Sequence, residues 1–148
     1  YIDALITDFL PLAGDRNSYA WLIGGYLIKS ENTAQRIADA KLRAYAFARI
    51  GNQHIQRGDA VGGRRLFRRM EVAAGQIASA LDRVWMYANV SLYLAAKGDP
   101  ARARETFNTG LRVTEKMTSS WARAQALVRL VSALEGLTKS GMAPGAAK

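Results

Sequence analysis

Apolar residues recur at spacings of three and four along most of the chain, which is the pattern of one face of an α-helix. The segment that carries Val84, Tyr87, Ala88, Ser91 and Ala95 shows this spacing clearly. A sheet would instead need alternation with a period of two and turn signals every 8–12 residues, and neither is present. The pattern therefore predicts an all-α chain of helices joined by short turns.

Two short motifs predict where helices meet. Gly58-Asp59 and Gly98-Asp99-Pro100 each follow a stretch with helical periodicity. Glycine takes the left-handed conformation that ends many helices at little cost, and aspartate accepts hydrogen bonds from the first free N–H groups of the next helix. Proline is pre-set for the first helical position. Each motif therefore predicts a tight turn between two helices.

The chain aligns with itself at a shift of forty residues. Arg43 falls over Arg83 and Arg123, and further matches are Ala48 with Ala88, Gly58-Asp59 with Gly98-Asp99, Arg64 with Arg104, Phe67 with Phe107, and Ser79 with Ser119. A third, partial copy starts at Trp121. Repeats of 20–50 residues indicate stacked supersecondary units. Each copy is expected to contain two helices.

This pattern resembles the tetratricopeptide repeat (TPR). The matching positions are Phe47, Ile50-Gly51, Gly58-Asp59, Gly63 and Phe67, then Tyr87, Val90-Ser91, Gly98-Asp99, Ala103 and Phe107. The resemblance covers about residues 41–138 and departs from the family in its period, which is 40 residues instead of the usual 34. It implies a right-handed α-solenoid of antiparallel helix pairs with about three repeats.

The ends of the chain fit the repeat less well. Residues 1–138 are expected to form a single TPR-like domain in which residues 1–40 are an atypical capping region, and residues 139–148 a flexible tail. Thr33 is expected to cap a helix that runs on towards Gly58. Because the first residue is Tyr1, we expect a processed protein or an excerpt of a larger one.

Composition narrows the possible chemistry. The 148 residues include no Cys and one His, so disulfides, Cys-ligated zinc, iron–sulfur clusters and thiol nucleophiles are excluded. The longest apolar run, Tyr19–Ile28, is too short to span a membrane, which needs about 20 residues. Cytoplasm and periplasm are both compatible with these features, and the compartment stays open.

The net charge of +9 is concentrated in one repeat. Arg64, Arg65, Arg68 and Arg69 lie at i, i+1, i+4 and i+5 of one predicted helix, opposite its apolar side. With no acidic residue on that helix before Glu71, this face suits phosphate, carboxylate clusters or anionic lipid. A simply solvated polar face is the alternative.

Two features imitate catalytic sites. His54 stands where the later repeats have Leu94 and Leu134, so we interpret it as a packing residue without an evident acid–base partner. Gly58 and Gly63 have the spacing of a P-loop, but Arg64 and Arg65 replace its Lys and Ser/Thr, and the repeat explains the motif. No enzyme, cofactor or metal site is predicted.

In the TPR family the first helix of each pair lines a concave groove. By position, the resemblance implies a groove formed by Tyr45, Arg49, Asn52, Trp85, Asn89, Leu92, Gln125 and Arg129. Aromatic and Arg residues are common in interfaces, although Tyr45 and Trp85 could equally pack between repeats.

The expected function is a non-catalytic scaffold that binds a segment of another protein, which could be acidic, in this groove. The alternatives are nucleic-acid or anionic-surface binding through Arg64–Arg69, and self-assembly into homo-oligomers by repeat stacking.

Overall fold

The computed structural model describes residues 27–139, and six helices lie within that range. α1 covers residues 27–35, and the others are α2 (Ala40–Gln56), α3 (Ala60–Gly75), α4 (Ala80–Ala96), α5 (Pro100–Glu115) and α6 (Ser120–Lys139). Residues 27–139 contain no β-strand, so the predicted all-α class is confirmed for this part. Most of the predicted capping region and all but the first residue of the predicted tail lie outside the described residues.

Helix boundaries follow the forty-residue repeat. α2, α4 and α6 begin at residues 40, 80 and 120, and α3 and α5 begin at residues 60 and 100. The residue before each of them is a capping residue: Asp39, Asp59, Ser79, Asp99 and Ser119. Its side chain accepts a hydrogen bond from the backbone N–H three residues on, which stabilises the helix start.

The predicted turns at Gly58 and Gly98 are confirmed. Both glycines have left-handed φ angles, +86° and +83°. The N–H of Gly58 donates to the carbonyl of Ile55, and the N–H of Asp59 donates to that of His54, both at 2.9 Å. This pair of bonds closes the last turn of α2. Because Asp59 also caps α3, the two helices are joined by a very short connection.

A second type of turn lies just before α2, α4 and α6, and it shows that residues 27–39 share the local pattern of the later repeats. Ile37, Ile77 and Met117 each donate their backbone N–H to the carbonyl three residues earlier at 3.1 Å. The expectation for Thr33 is wrong, because this residue lies inside α1 and its hydroxyl donates to the carbonyl of Lys29 at 2.9 Å. α1 ends at residue 35, and the chain turns before α2.

The chain divides into two compact units, residues 1–73 and 74–148. In the described part of unit 1, α2 and α3 pack through glycine contacts. A Cβ at Gly51 would lie 3.1 Å from the ring of Phe67, and one at Gly63 would lie 2.4 Å from the side chain of Ile55. Fully buried large side chains of this unit are Phe47, Ile50, Leu66 and Met70. The glycines therefore let the helices approach closely.

In unit 2, α4 contacts both α5 and α6, and α5 also contacts α6. Their core contains Val84, Ala88, Met117, Ala126, Leu130 and Ala133. A Cβ at Gly110 would lie 3.1 Å from Cβ of Tyr87, so α5 approaches α4 closely there. Among residues 27–139, no helix has the length and apolar character needed to cross a membrane.

Candidate interaction site

Five of the eight predicted groove residues come together in unit 2, on α4 and α6. The Arg129 guanidinium donates to the Oδ1 of Asn89, which joins the two helices. Trp85, one turn before Asn89, is 40% exposed, and Gln125 is exposed one turn before Arg129. The remaining member, Leu92, is half-buried.

Close packing supports this seam between α4 and α6. A Cβ at Gly136 would lie 2.6 Å from Cδ2 of Leu92, so a larger residue at 136 would require the Leu92 side chain to move. Leu92 therefore packs between α4 and α6, while Trp85 and Gln125 are exposed.

The other three predicted groove residues lie on α2 in unit 1. Tyr45 is half-buried and Arg49 is exposed, as a binding role would require. Asn52 is only 1% exposed, and its Nδ2 has no hydrogen-bond partner among the described residues. An unsatisfied buried amide costs free energy, and its enclosure keeps Asn52 from direct contact with a partner in this conformation.

The arginine helix has an acidic partner that sequence reasoning missed. Glu31 on α1 accepts two hydrogen bonds from Arg65, Nη1 to Oε2 and Nη2 to Oε1, each at 2.8 Å. Arg69 Nη1 lies 3.8 Å from Glu31 Oε2, and its guanidinium lies 5.8 Å from the ring centroid of Phe47. Two of the four arginines therefore belong to an ion-pair cluster within unit 1.

Arg64 and Arg68 are what remains of the predicted anion-binding patch. Both are exposed and make no ion pair with any residue of the range 27–139. The pairing of Glu31 was hard to predict from the sequence, because Glu31 precedes Arg65 by 34 residues. The repeat offers no guide either, since the residue at the same position one repeat later, Glu71, is exposed.

His54 lies between two carboxylates, so the expectation that it has no acid–base partner nearby is wrong. Its Nδ1 is 2.8 Å from Asp59 Oδ2, and its Nε2 is 3.2 Å from Glu31 Oε1 without hydrogen-bond geometry. The side chain is 12% exposed. His54 thus connects the cap of α3 to the Glu31–Arg65 pair.

The electrostatics of this cluster favour the ionised forms of Glu31, Asp59 and Arg65. Burial raises the pKa of Glu31, but the hydrogen bonds and charge of Arg65, together with His54, outweigh it and hold the pKa below its ordinary value. The Gly62 backbone N–H and His54 lower the pKa of Asp59, and Glu31 raises the pKa of Arg65. Within residues 27–139 no three His, Asp or Glu side chains are placed to hold a metal ion.

A second exposed surface lies on α6. Its large apolar residues Trp121, Leu127, Val128, Val131 and Leu134 are all exposed. Trp121, the most exposed at 69%, borders a cleft of about 340 Å³ between the start of α4 and the 116–119 turn. Sequence reasoning did not single out this face, because apolar spacing alone does not show which apolar residues are covered.

A solved structure shares this fold. The crystal structure of Ton1535 from Thermococcus onnurineus NA1 matches with a TM-score of 0.72 and 20% sequence identity, over 95% of this chain and 38% of that chain. The chain thus spans less than half the length of that protein, and at this identity the likeness shows the fold alone. No protein-family model matches the chain, and no curated protein matches it.

Proposed function

We propose that this chain is a non-catalytic protein-interaction domain with a TPR-like arrangement, in which antiparallel helix pairs stack as a solenoid. The first helix of each pair would present the binding surface. The regular helix starts, the short turns at Gly58 and Gly98, and the contacts of α4 with both α5 and α6 support this arrangement.

The observation that carries the proposal is the exposed Trp85 beside the Asn89–Arg129 bond. Trp and Arg are the residue types that most often dominate binding energy, since they offer large contact areas and several hydrogen-bond donors. A bond between neighbouring helices also holds the side chains in place before a partner arrives, which lowers the entropy cost of binding.

A non-catalytic role is supported by how the most reactive-looking cluster is used. Asp59 caps α3 and contacts His54, while Glu31 pairs with Arg65. Each of these side chains has a stabilising contact to another helix or to a helix end. We therefore interpret His54 as a structural residue of unit 1.

The basic character of the chain favours a partner segment with acidic residues, since Arg49 and Arg129 belong to the predicted groove. We rank anionic-surface binding below protein binding, because Arg65 and Arg69 contact Glu31.

Site-specific crosslinking tests the proposal. The chain has no Cys, so Gln125→Cys can carry a photo-crosslinker at a unique site, and Glu105→Cys, at an exposed position of α5, is the matched control. In native extract we expect a discrete protein adduct from position 125 only. Trp85→Ala should weaken the affinity for the captured protein by roughly 30-fold. This corresponds to about 2 kcal/mol, the loss expected when a binding hot spot is removed.

Equal adducts from both positions, or capture unchanged by Trp85→Ala, would contradict the proposed function.

A further inference from the structure

The four arginines of α3 form a charged surface, which we call the basic face. Its residues Arg64, Arg65, Arg68 and Arg69 are all exposed. They lie in two rows, Arg64 with Arg68 and Arg65 with Arg69, and the two members of a row are about 6 Å apart along the helix axis. The basic face is therefore a short line of guanidinium groups along one side of the helix.

Two of these arginines are held in place and still exposed. Glu31 accepts hydrogen bonds from two of the five N–H donors of Arg65, each at 2.8 Å. Arg69 lies 3.8 Å from Glu31 and 5.8 Å from the ring centroid of buried Phe47. The side chains of Arg65 and Arg69 nevertheless stay 49% and 44% exposed. A ligand therefore meets guanidinium groups that are already ordered, which lowers the entropy cost of binding.

The other two arginines supply positive charge that nothing in residues 27–139 neutralises. Neither Arg64 nor Arg68 makes an ion pair within that range. Like charges four residues apart on a helix repel, so an anion that binds to both removes an unfavourable interaction. The planar guanidinium group pairs best with carboxylate or phosphate groups, since it can donate two parallel hydrogen bonds to either.

The linear arrangement of the basic face favours the phosphates of a nucleic acid. Each strand of a duplex carries one negative charge for about every 3.4 Å of its axis, so several phosphates lie in a line. A line of arginines can contact several of them at once. Every cation of α3 is an arginine, which is the residue type that recognises individual phosphates by direction as well as by charge.

A lipid surface fits the basic face less well. A helix that binds at a membrane interface buries its apolar side among the lipids. On α3 that side consists of Leu66, Phe67 and Met70, which are buried in unit 1. Val61 and Val72 are exposed, but they stand near opposite ends of the helix, eleven residues apart. α3 thus has no continuous apolar side that could enter a membrane.

The absence of exposed aromatic side chains from α3 favours a duplex over a single strand. Proteins that bind single strands usually stack the bases on aromatic side chains. The one aromatic residue of α3, Phe67, is only 6% exposed. Contacts to phosphates alone fix the position of a protein on a duplex without reading its sequence.

We propose that the basic face binds the phosphate backbone of a nucleic-acid duplex independently of sequence, with Arg64 and Arg68 in direct contact with phosphates. This site is separate from the proposed protein-binding groove, whose exposed Trp85 and Gln125 lie on α4 and α6.

Fluorescence anisotropy with the full chain tests the proposal on a labelled DNA duplex and on an RNA duplex of the same sequence. We expect saturable binding at about 50 mM salt that weakens linearly, on logarithmic scales, up to about 200 mM. A DNA duplex of unrelated sequence should bind equally well. Arg64→Ala or Arg68→Ala alone should reduce the slope of this salt dependence on DNA by about 0.9, the contribution of one phosphate contact. The double substitution should remove saturable binding.

The matched control removes the same charge elsewhere. Arg112 and Lys116 are exposed cations four residues apart at the end of α5, so Arg112→Ala with Lys116→Ala should keep both saturable binding and the salt slope. Glu71→Gln removes the one acidic side chain of α3, at an exposed position three residues after Arg68, and should tighten binding.

Two variants separate this site from the groove. The chain with Arg64→Ala and Arg68→Ala should keep its protein crosslink at position 125, and the chain with Trp85→Ala should keep its affinity for the duplex. A lost crosslink at position 125 would then count against the groove, and lost duplex binding against the basic face.

The proposal is overturned if no duplex binds saturably at about 50 mM salt, or if the control pair loses as much affinity as Arg64→Ala with Arg68→Ala. Tighter binding of a single strand, of polyglutamate or of phosphatidylserine vesicles than of either duplex would overturn it in favour of that ligand. If a duplex binds only after Asp3, Asp8 and Asp15 are all replaced by Asn, these carboxylates occupy the basic face and the proposal is wrong. Binding of one duplex and not the other would support it and identify the nucleic acid as DNA or RNA.

Discussion

Glu31→Gln should destabilise unit 1 by breaking the ion pair with Arg65. The carboxylate is largely buried, with 10% of its side chain exposed, and it accepts two hydrogen bonds of 2.8 Å. Glutamine keeps one acceptor oxygen but turns an NH₂ group towards a guanidinium. A charge-assisted hydrogen bond contributes about 1.5–3 kcal/mol, and the exposed side of Arg65 reduces the loss. We expect the free energy of unfolding to fall by about 2 kcal/mol.

The pKa of Glu31 gives this loss a defined pH dependence. Since the folded-state pKa lies below the ordinary value of 4.5, the ionised pair stabilises the fold above pH 4.5. That contribution is lost as the pH falls through the folded pKa. The difference between the two proteins should therefore be constant near neutral pH and shrink below pH 4.5.

Urea unfolding followed by circular dichroism, from about pH 7 down to about pH 2.5, measures this difference. Glu105→Gln is the control, because Glu105 is an exposed glutamate on a helix, and it should cost less than about 0.5 kcal/mol. A loss at neutral pH no larger than that of the control, or one that stays unchanged at the acidic end of the range, would refute the reasoning.

Three further substitutions follow from the same geometry. Gly62→Ala should destabilise the chain by about 1–3 kcal/mol in urea unfolding, because its Cβ would lie 2.2 Å from Oδ2 of Asp59; a gain in stability would show that the cap can shift freely. Gly75→Ala, with no atom within 4 Å of the added Cβ, should instead stabilise by about 0.4–1 kcal/mol, and a loss would contradict this. Combined Arg64→Ala and Arg68→Ala should abolish any binding of RNA or anionic vesicles at low salt, and binding that survives would exclude these arginines as its cause.

Local features of the fold were predictable from sequence. The Gly58 and Gly98 turns and the Asp59 and Asp99 caps depend on residues within a few positions of one another, so their chemistry is visible in a short window. The end of α1 was not predicted, since no glycine or proline interrupts residues 33–40. The turn there is formed by the Asp39 cap and by the backbone hydrogen bond from Ile37 to the carbonyl of Ala34, and the repeat alignment could have indicated both.

The ion-pair cluster was not predictable in the same way. Glu31 and Arg65 are 34 residues apart, and which of the four arginines meets a carboxylate depends on how α1 lies against α3. By contrast, the proximity of Asn89 and Arg129 on α4 and α6 could be anticipated from the sequence, because the two residues occupy the same repeat position. The repeat position of a residue indicates which helices its side chain can contact, but it does not indicate which charged residue lies opposite.

The position shared by His54, Leu94 and Leu134 shows why a repeat alignment does not predict which side chains are buried. Leu94 is fully buried, while Leu134, an identical residue, is 37% exposed. His54 at the same position is almost enclosed because Asp59 and Glu31 contact its ring. A repeat position therefore sets the direction of a side chain, and the helix that lies over it decides whether that side chain becomes part of the core, part of an ion pair or part of the exposed surface.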